Sequence, residues 1–379
     1  GVPRMQRMLV SVKLRGWATA TKRLTGLLAV CLVLVTLGAL VWRSQLQARV
    51  AASQAITSPH GIDESRFITI GGIKQWVQIR GEDRANPVLL VLHGGPGSSF
   101  IPYTPLFRKW ERYFTVVLWD QRGTSRTYGH NALPDSDTMT IDRMTADGLE
   151  LSAYLRSHLR KDKLILLGHS WGSVLGVGMA MAKPQWYSVF IGTGFIVSEV
   201  PDWVAAFDIL VAKVRASQNQ TALSELTNIG PPPYTDAYAQ KVHDRWIHRY
   251  NAKEEKNLSS AAWKMVLTAP QYSFSDIRDF FASAEFSERA TYDELYAYDA
   301  RKRKQQFQMP VVIIEGTEDL ITPASFIKLY FDKIRAPAKS FALIEGGGHN
   351  VIVTKPQAFL KMLLAEVGEL ISTTKAVIH

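Results

Sequence analysis

Ser170 stands between two glycines in Gly168-His169-Ser170-Trp171-Gly172, after the apolar run Leu164–Leu167 and before the small residues Ser173 and Gly176. A strand that turns sharply into a helix brings its flanking backbone too close for side chains and strains the residue at the apex. The apical hydroxyl then projects at the carboxyl edge of a sheet, beside a helix N-terminus that stabilises developing negative charge. Those are the conditions a nucleophile needs. A hydroxyl is nonetheless weak without a base to take its proton, and the base needs a carboxylate to orient it.

Two downstream loops can supply these groups, each after a strand-like run. Glu315 to Pro323, EGTEDLITP, carries Asp319, with Glu318 as the rival acid, and Glu345 to Val351, EGGGHNV, places His349 after three glycines. The order serine, acid, histidine is that of α/β-hydrolases. Among the other histidines, His169 adjoins the nucleophile and is expected to point away. His243 and His248 fall in a helical segment, and His379 in the tail. A second glycine loop, His93-Gly94-Gly95-Pro96-Gly97, follows the apolar Val88–Leu92. It frees a backbone N–H for an oxyanion, to be paired with the N–H of Trp171, and His93 is expected to brace it.

The elements that must hold these loops are legible as alternating apolar runs. RFITI, KQWVQIRG, PVLLVLHG, YFTVVLWD, KLILLGH, YSVFIGTG, PVVIIEG and SFALIEG read as strands, several of them apolar throughout, as in a parallel sheet covered on both faces. Helical patterns separate some of them, including Met139–Leu159 and a last helix over Pro356–Ile371. From Phe195 to Gln308 the texture becomes aromatic and charged without strong strands, which reads as a helical cap inserted into the sheet domain. The expected organisation is a core at 62–195 and 308–379 with a cap at 196–307.

The +10 net charge of the 379 residues suggests nucleic acid until it is located. Arg4, Arg7, Lys13, Arg15, Lys22, Arg23 and Arg43 supply seven of those charges with no acid among residues 1–43, so a basic nucleic-acid surface is not expected. They flank Leu24–Trp42, an uncharged apolar stretch close to bilayer length, with no polar face. The reading is a basic tail over 1–23, a transmembrane anchor over 24–42 and a polar stalk over 43–61. The positive-inside rule puts the N-terminus in the cytoplasm and the rest outside. The alternative is a cleaved signal ending near Arg49–Ser53. The one cysteine, Cys31, lies within that stretch, so neither a disulfide within the chain nor a thiolate metal site is expected.

HGGPG, WDQRGTSRTYG (Trp119–Gly129), GHSWG, GTEDLITP and GGGH occur in the order and spacing of the proline iminopeptidase group, which the chain resembles over about 64–195 and 308–370. The resemblance implies a serine hydrolase without metal or cofactor, with Ser170 as nucleophile, His349 as base and Asp319 as its orienter. It also implies Gly95 and Trp171 as the oxyanion donors, and a charge-assisted contact by which Asp120 and Arg122 hold their loop. Three features depart from the group. His169 replaces a common glycine, Ser125 stands where DQRG-x-G has glycine, and the cap segment Arg245–Glu255, RWIHRYNAKEE, lacks the usual Trp-Glu carboxylate for a substrate amine. Glu199, at the cap entrance, is the candidate substitute. An aminopeptidase of small or short-peptide substrates is therefore set against a carboxylesterase or lactonase, with pocket charge as the discriminator. A non-catalytic binding protein on the same fold is the remaining alternative.

Overall fold

The computed structural model describes residues 2–131, 138–303 and 305–376, with side chains over 25–131, 138–303 and 305–368. The chain divides into two units, 1–53 and 54–379.

The first unit is one helix, α1 (Val2–Ser53). The stretch Thr25–Ser53 is long and apolar enough to cross a membrane, and its large apolar side chains from Leu27 to Trp42 are exposed. The stalk expected from residue 43 begins as helix rather than linker, because α1 continues to Ser53. Beyond it the chain is pinned within the second unit, where Arg80 donates to the Gln54 carbonyl and Arg108 to that of Ala55 at 3.3 Å.

In the second unit eight strands form one sheet: β1 (Ile62–Ile70), β2 (Ile73–Gly81), β3 (Val88–Leu92), β4 (Thr115–Asp120), β5 (Leu164–His169), β6 (Tyr187–Thr193), β7 (Val311–Gly316) and β8 (Lys339–Ile344). Their order is β1-β2-β4-β3-β5-β6-β7-β8, antiparallel at β1/β2 and β2/β4 and parallel from β4 to β8. The apolar strands are buried on both faces because successive side chains point opposite ways. Leu90, Leu92, Leu164 and Leu166 pack with α2 (Ile141–His158) and α3 (Trp171–Ala182) through Met144, Leu151, Val174 and Leu175. Leu89, Val91, Ile165 and Leu167 face the other way, toward Phe107, Trp110 and Phe359.

Between β6 and β7 come five helices, α4 (Glu199–Ala216), α5 (Gln220–Ile229), α6 (Ala237–Tyr250), α7 (Lys253–Thr268) and α8 (Phe274–Ala297). Phe207, Leu210, Val214, Leu226, Val242 and Trp246 give this cap a small core of its own, which Leu320 of the sheet domain joins. Helices α9 (Ala324–Lys333) and α10 (Pro356–Ala376) complete the described chain.

Candidate active site

At the junction of β5 and α3, Ser170 has φ +51° and ψ −121°, the strained backbone expected of a nucleophile elbow. The turn is tight: a Cβ on Gly172 would lie 2.2 Å from the Leu92 carbonyl oxygen, so no side chain fits there. The Ser170 N–H donates to the Thr193 carbonyl at 3.0 Å, and its own carbonyl accepts from both the N–H and the hydroxyl of Ser173 at 2.8 and 2.7 Å. The apex is thus held on three sides while its hydroxyl stays available.

The loops after β7 and β8 bring the other two residues to it. His349 Nε2 lies 3.0 Å from Ser170 Oγ, and His349 Nδ1 lies 2.9 Å from Asp319 Oδ2. Asp319 Oδ1 accepts from the N–H groups of Ile321 and Thr322 at 2.7 and 2.9 Å, and Oδ2 also accepts from the Thr322 hydroxyl at 2.9 Å. Burial would raise the Asp319 carboxyl, but the charge and hydrogen bond of His349 and these backbone donors bring it below its ordinary value. Burial likewise pulls the His349 imidazole down, yet Asp319, Glu255 and Glu199 carry it above its ordinary value. Glu318, the rival acid, pairs instead with Lys213 at 3.4 Å.

The glycine loop after β3 lies against Ser170, since a Cβ on Gly94 would come 3.0 Å from Ser170 Cβ. Among the described residues neither the Gly95 nor the Trp171 N–H donates to a backbone carbonyl outside the regular elements. His93 braces this loop as expected, its Nδ1 lying 2.8 Å from the Gly94 carbonyl oxygen, and burial lowers its pKa to about 4.

This arrangement can deliver a serine oxygen to a carbonyl carbon, accept its proton on an oriented imidazole and offer amide hydrogens to the resulting oxyanion. Residues 87–356 match the model of the alpha/beta hydrolase fold family. The chain belongs to the α/β-hydrolase fold family. It is 32% identical over 78% of its length to a probable aminopeptidase of Bacillus subtilis (strain 168), covering 93% of that protein. It is 24% identical to a proline iminopeptidase of Clostridioides difficile (strain 630), over 78% of this chain and 95% of that one. A solved structure of a proline iminopeptidase-related protein from Thermus thermophilus superposes with a TM-score of 0.59 at 19% identity, covering 82% of this chain and 98% of that one.

The hydrolase carries its cap on a strap whose backbone is held throughout. The N–H groups of Gly194 and Phe195 donate to the buried Glu315 carboxylate at 2.8 and 3.0 Å, that of Ile196 to Ser173 Oγ at 3.0 Å, and those of Val197 and Ser198 to Asp202 at 3.0 and 3.1 Å. Glu199 follows directly. Burial raises its pKa to about 7 against the opposing effects of His349 and a hydrogen bond with Trp203. It lines a cavity of about 680 Å³ with Gly95, Trp203, Glu288 and Ile321. Among the described lining residues there is neither lysine nor arginine, whereas Glu199, Asp244 and Glu288 are present.

Two expectations change, and the departures from the family find their places. Arg122 and Asp120 do not pair with each other: Arg122 donates to the buried Asp147, while Asp120 accepts from the Ser99 hydroxyl and, at 3.2 Å, the Arg126 N–H. Asp147 lies on α2, and nothing around it in the sequence marks it as that partner. His169 does not simply point away, for its Nε2 donates to the His349 carbonyl at 3.1 Å. The acidic end of RWIHRYNAKEE faces the loop of His349, with Glu255 on Asn350 and Glu254 3.4 Å from Lys355. Ser125 keeps the left-handed backbone natural to glycine, at φ +43°, and its hydroxyl lies 2.6 Å from that of the cap residue Tyr272. His243 lines the cavity with neither ring nitrogen hydrogen-bonded among the described residues, and His379 lies outside them.

Proposed function

We propose that this hydrolase is a membrane-anchored serine aminopeptidase that removes an N-terminal residue through an acyl-enzyme. Ser170 Oγ attacks the carbonyl carbon of the scissile amide as its proton passes to His349 Nε2. Asp319 holds the imidazole by Nδ1–H and stabilises the imidazolium. The Gly95 and Trp171 N–H groups receive the oxyanion. His349 then gives the proton to the departing amine, and water, activated by the same imidazole, releases the acyl group from Ser170.

The observation that carries the amine specificity is Glu199. Its carboxylate lines the same cavity as Gly95, the expected oxyanion donor, and among the described lining residues there is no lysine or arginine. A substrate ammonium beside it would be paired on leaving water, and its charge would hold Glu199 ionised. The aminopeptidase and iminopeptidase relatives support the same reading. An ester or lactone substrate gives such a carboxylate no partner.

The anchor reading rests on the apolar helix through Thr25–Ser53 and the basic residues before it, which favour a cytoplasmic N-terminus and a catalytic unit on the other side.

The deciding experiment compares a prolyl or other aminoacyl nitroanilide, its N-acetylated form and p-nitrophenyl acetate. The free amine is expected to raise kcat/KM by about tenfold or more over the acetylated amide, a charge-assisted contact of about 1.5–3 kcal/mol. Equal turnover of both amides would overturn the amine reading.

A further inference from the structure

The peptide group that joins His349 to Asn350 is gripped from two directions. Its carbonyl oxygen accepts from His169 Nε2 at 3.1 Å, and its N–H donates to Glu255 Oε1 at 2.6 Å. His169 belongs to the nucleophile elbow and Glu255 to cap helix α7. The second Glu255 oxygen accepts from Asn350 Nδ2 at 2.9 Å, so the carboxylate spans main chain and side chain of one residue.

The neighbouring packing is as tight. A Cβ on Gly348 would lie 2.5 Å from Glu255 Cγ, so the last glycine of GGGH leaves room for the cap residue. On the core side, a Cβ on Gly94 would lie 2.7 Å from His169 Nδ1, so this ring adjoins the elbow, the oxyanion loop and the base together. Burial lowers the His169 pKa to about 3, so the ring stays neutral and its tautomer is set by the carbonyl it serves.

We infer that His169 and Glu255 are positioning residues for His349, clamping its peptide group between core and cap so that the base is fully aligned only while α7 is seated. The inference rests on the reading of Ser170, His349 and Asp319 as hydrolytic machinery. Neither residue touches substrate in this account; both act through the imidazole. The charged or titratable groups around that imidazole are Asp319 from the β7 loop, Glu199 from α4, Glu255 from α7 and His169 from the end of β5. Of the two clamping groups only Glu255 carries charge, so the two sides of the clamp differ in what their removal does to the titration.

The test uses full-length, detergent-solubilised protein with p-nitrophenyl acetate, a probe small enough not to need the cap pocket. E255A and H169A are expected to lower kcat about tenfold or more with little change in KM, a modest fraction of the roughly 100-fold loss that a 1 Å misplacement can cause. E255Q should recover most of the loss, because its amide oxygen still accepts from the Asn350 N–H and the Asn350 amide can turn to meet it. H169Q should recover part of it through its own N–H donor. E255A and E255Q should both move the acid limb of the rate profile to lower pH, whereas H169Q should leave it in place. Wild-type kcat in E255A overturns the clamp, as does a loss of melting temperature alone. If E255A does not fold, H169A decides: wild-type kcat there overturns the clamp, and a loss that H169Q partly recovers supports it. Undiminished turnover in S170A and H349A would instead overturn the underlying hydrolytic reading.

Discussion

The Arg122 guanidinium donates to both oxygens of the Asp147 carboxylate, at 2.8 and 3.3 Å, with both side chains almost wholly buried. Gln75 and Arg143 donate to the same carboxylate at 2.9 Å each, and Arg122 also donates to the Gly71 carbonyl at 2.8 Å. One carboxylate on α2 thus ties the loop after β4 to the β1–β2 turn.

Removing that carboxylate strands a buried guanidinium. D147A is expected to cost about 3–5 kcal/mol of stability, the usual consequence of breaking a buried ion pair from one side. D147N keeps the volume and should cost less. Denaturant unfolding of the two variants checks the order, and a D147A midpoint equal to wild type would contradict it.

The pH dependence follows from His349. The imidazole must be neutral to accept the serine proton, and its pKa lies above the ordinary value of 6.5 because Asp319 and the cap carboxylates favour its charged form. Activity should therefore rise with pH, with its half-maximum above that of a free imidazole. A kcat/KM profile that is flat between about pH 5 and 8 would count against His349 as the base.

The same residue contributes to stability with the opposite dependence. A folded-state pKa above the unfolded one stabilises the fold fully below the unfolded value, and that contribution fades as pH rises through the folded value. H349Q should remove this part of the pH dependence, which melting curves across that range would reveal.

In the proposed mechanism Asp319 orients the imidazole and transfers no proton. D319N keeps the shape but loses the acceptor for Nδ1–H, and a loss of kcat of roughly 10⁴-fold is expected for a serine triad. Labelling of Ser170 by a fluorophosphonate should slow in parallel. Unchanged labelling would point to another orienter.

For Glu199, the expected signature is a substrate-dependent split. E199Q should raise KM for the free-amine nitroanilide about tenfold while leaving p-nitrophenyl acetate turnover near wild type. Equal losses on both substrates would assign the residue to the fold of the cap instead.

Membrane attachment is open to direct measurement. Full-length protein should stay with the membrane through alkaline carbonate extraction, and its N-terminal sequence should still include the residues before Leu24. A soluble product beginning near Ser53 would mark a cleaved signal.

The strands, the elbow and the order of Ser170, Asp319 and His349 were legible in the sequence because each is written in adjacent residues. An apolar run, a pair of flanking glycines or a loop after a strand constrains the backbone locally, and the parallel sheet brings those strand ends to one edge. The helical nature of the cap was legible for the same reason. What each charge faces was not. The partner of Arg122 is 25 residues away on α2, and Glu255 reaches Asn350 across 95 residues. The family resemblance implied a charge-assisted contact holding the loop of Asp120 and Arg122 but not its partners, and Asp120 turned to Ser99 and Arg126. Only the tertiary structure decided that the cap's Glu255 meets Asn350, next to His349, while Glu199 lines the cavity. Which side chains meet across elements depends on how the cap seats on the sheet, whereas a turn depends only on the residues that make it.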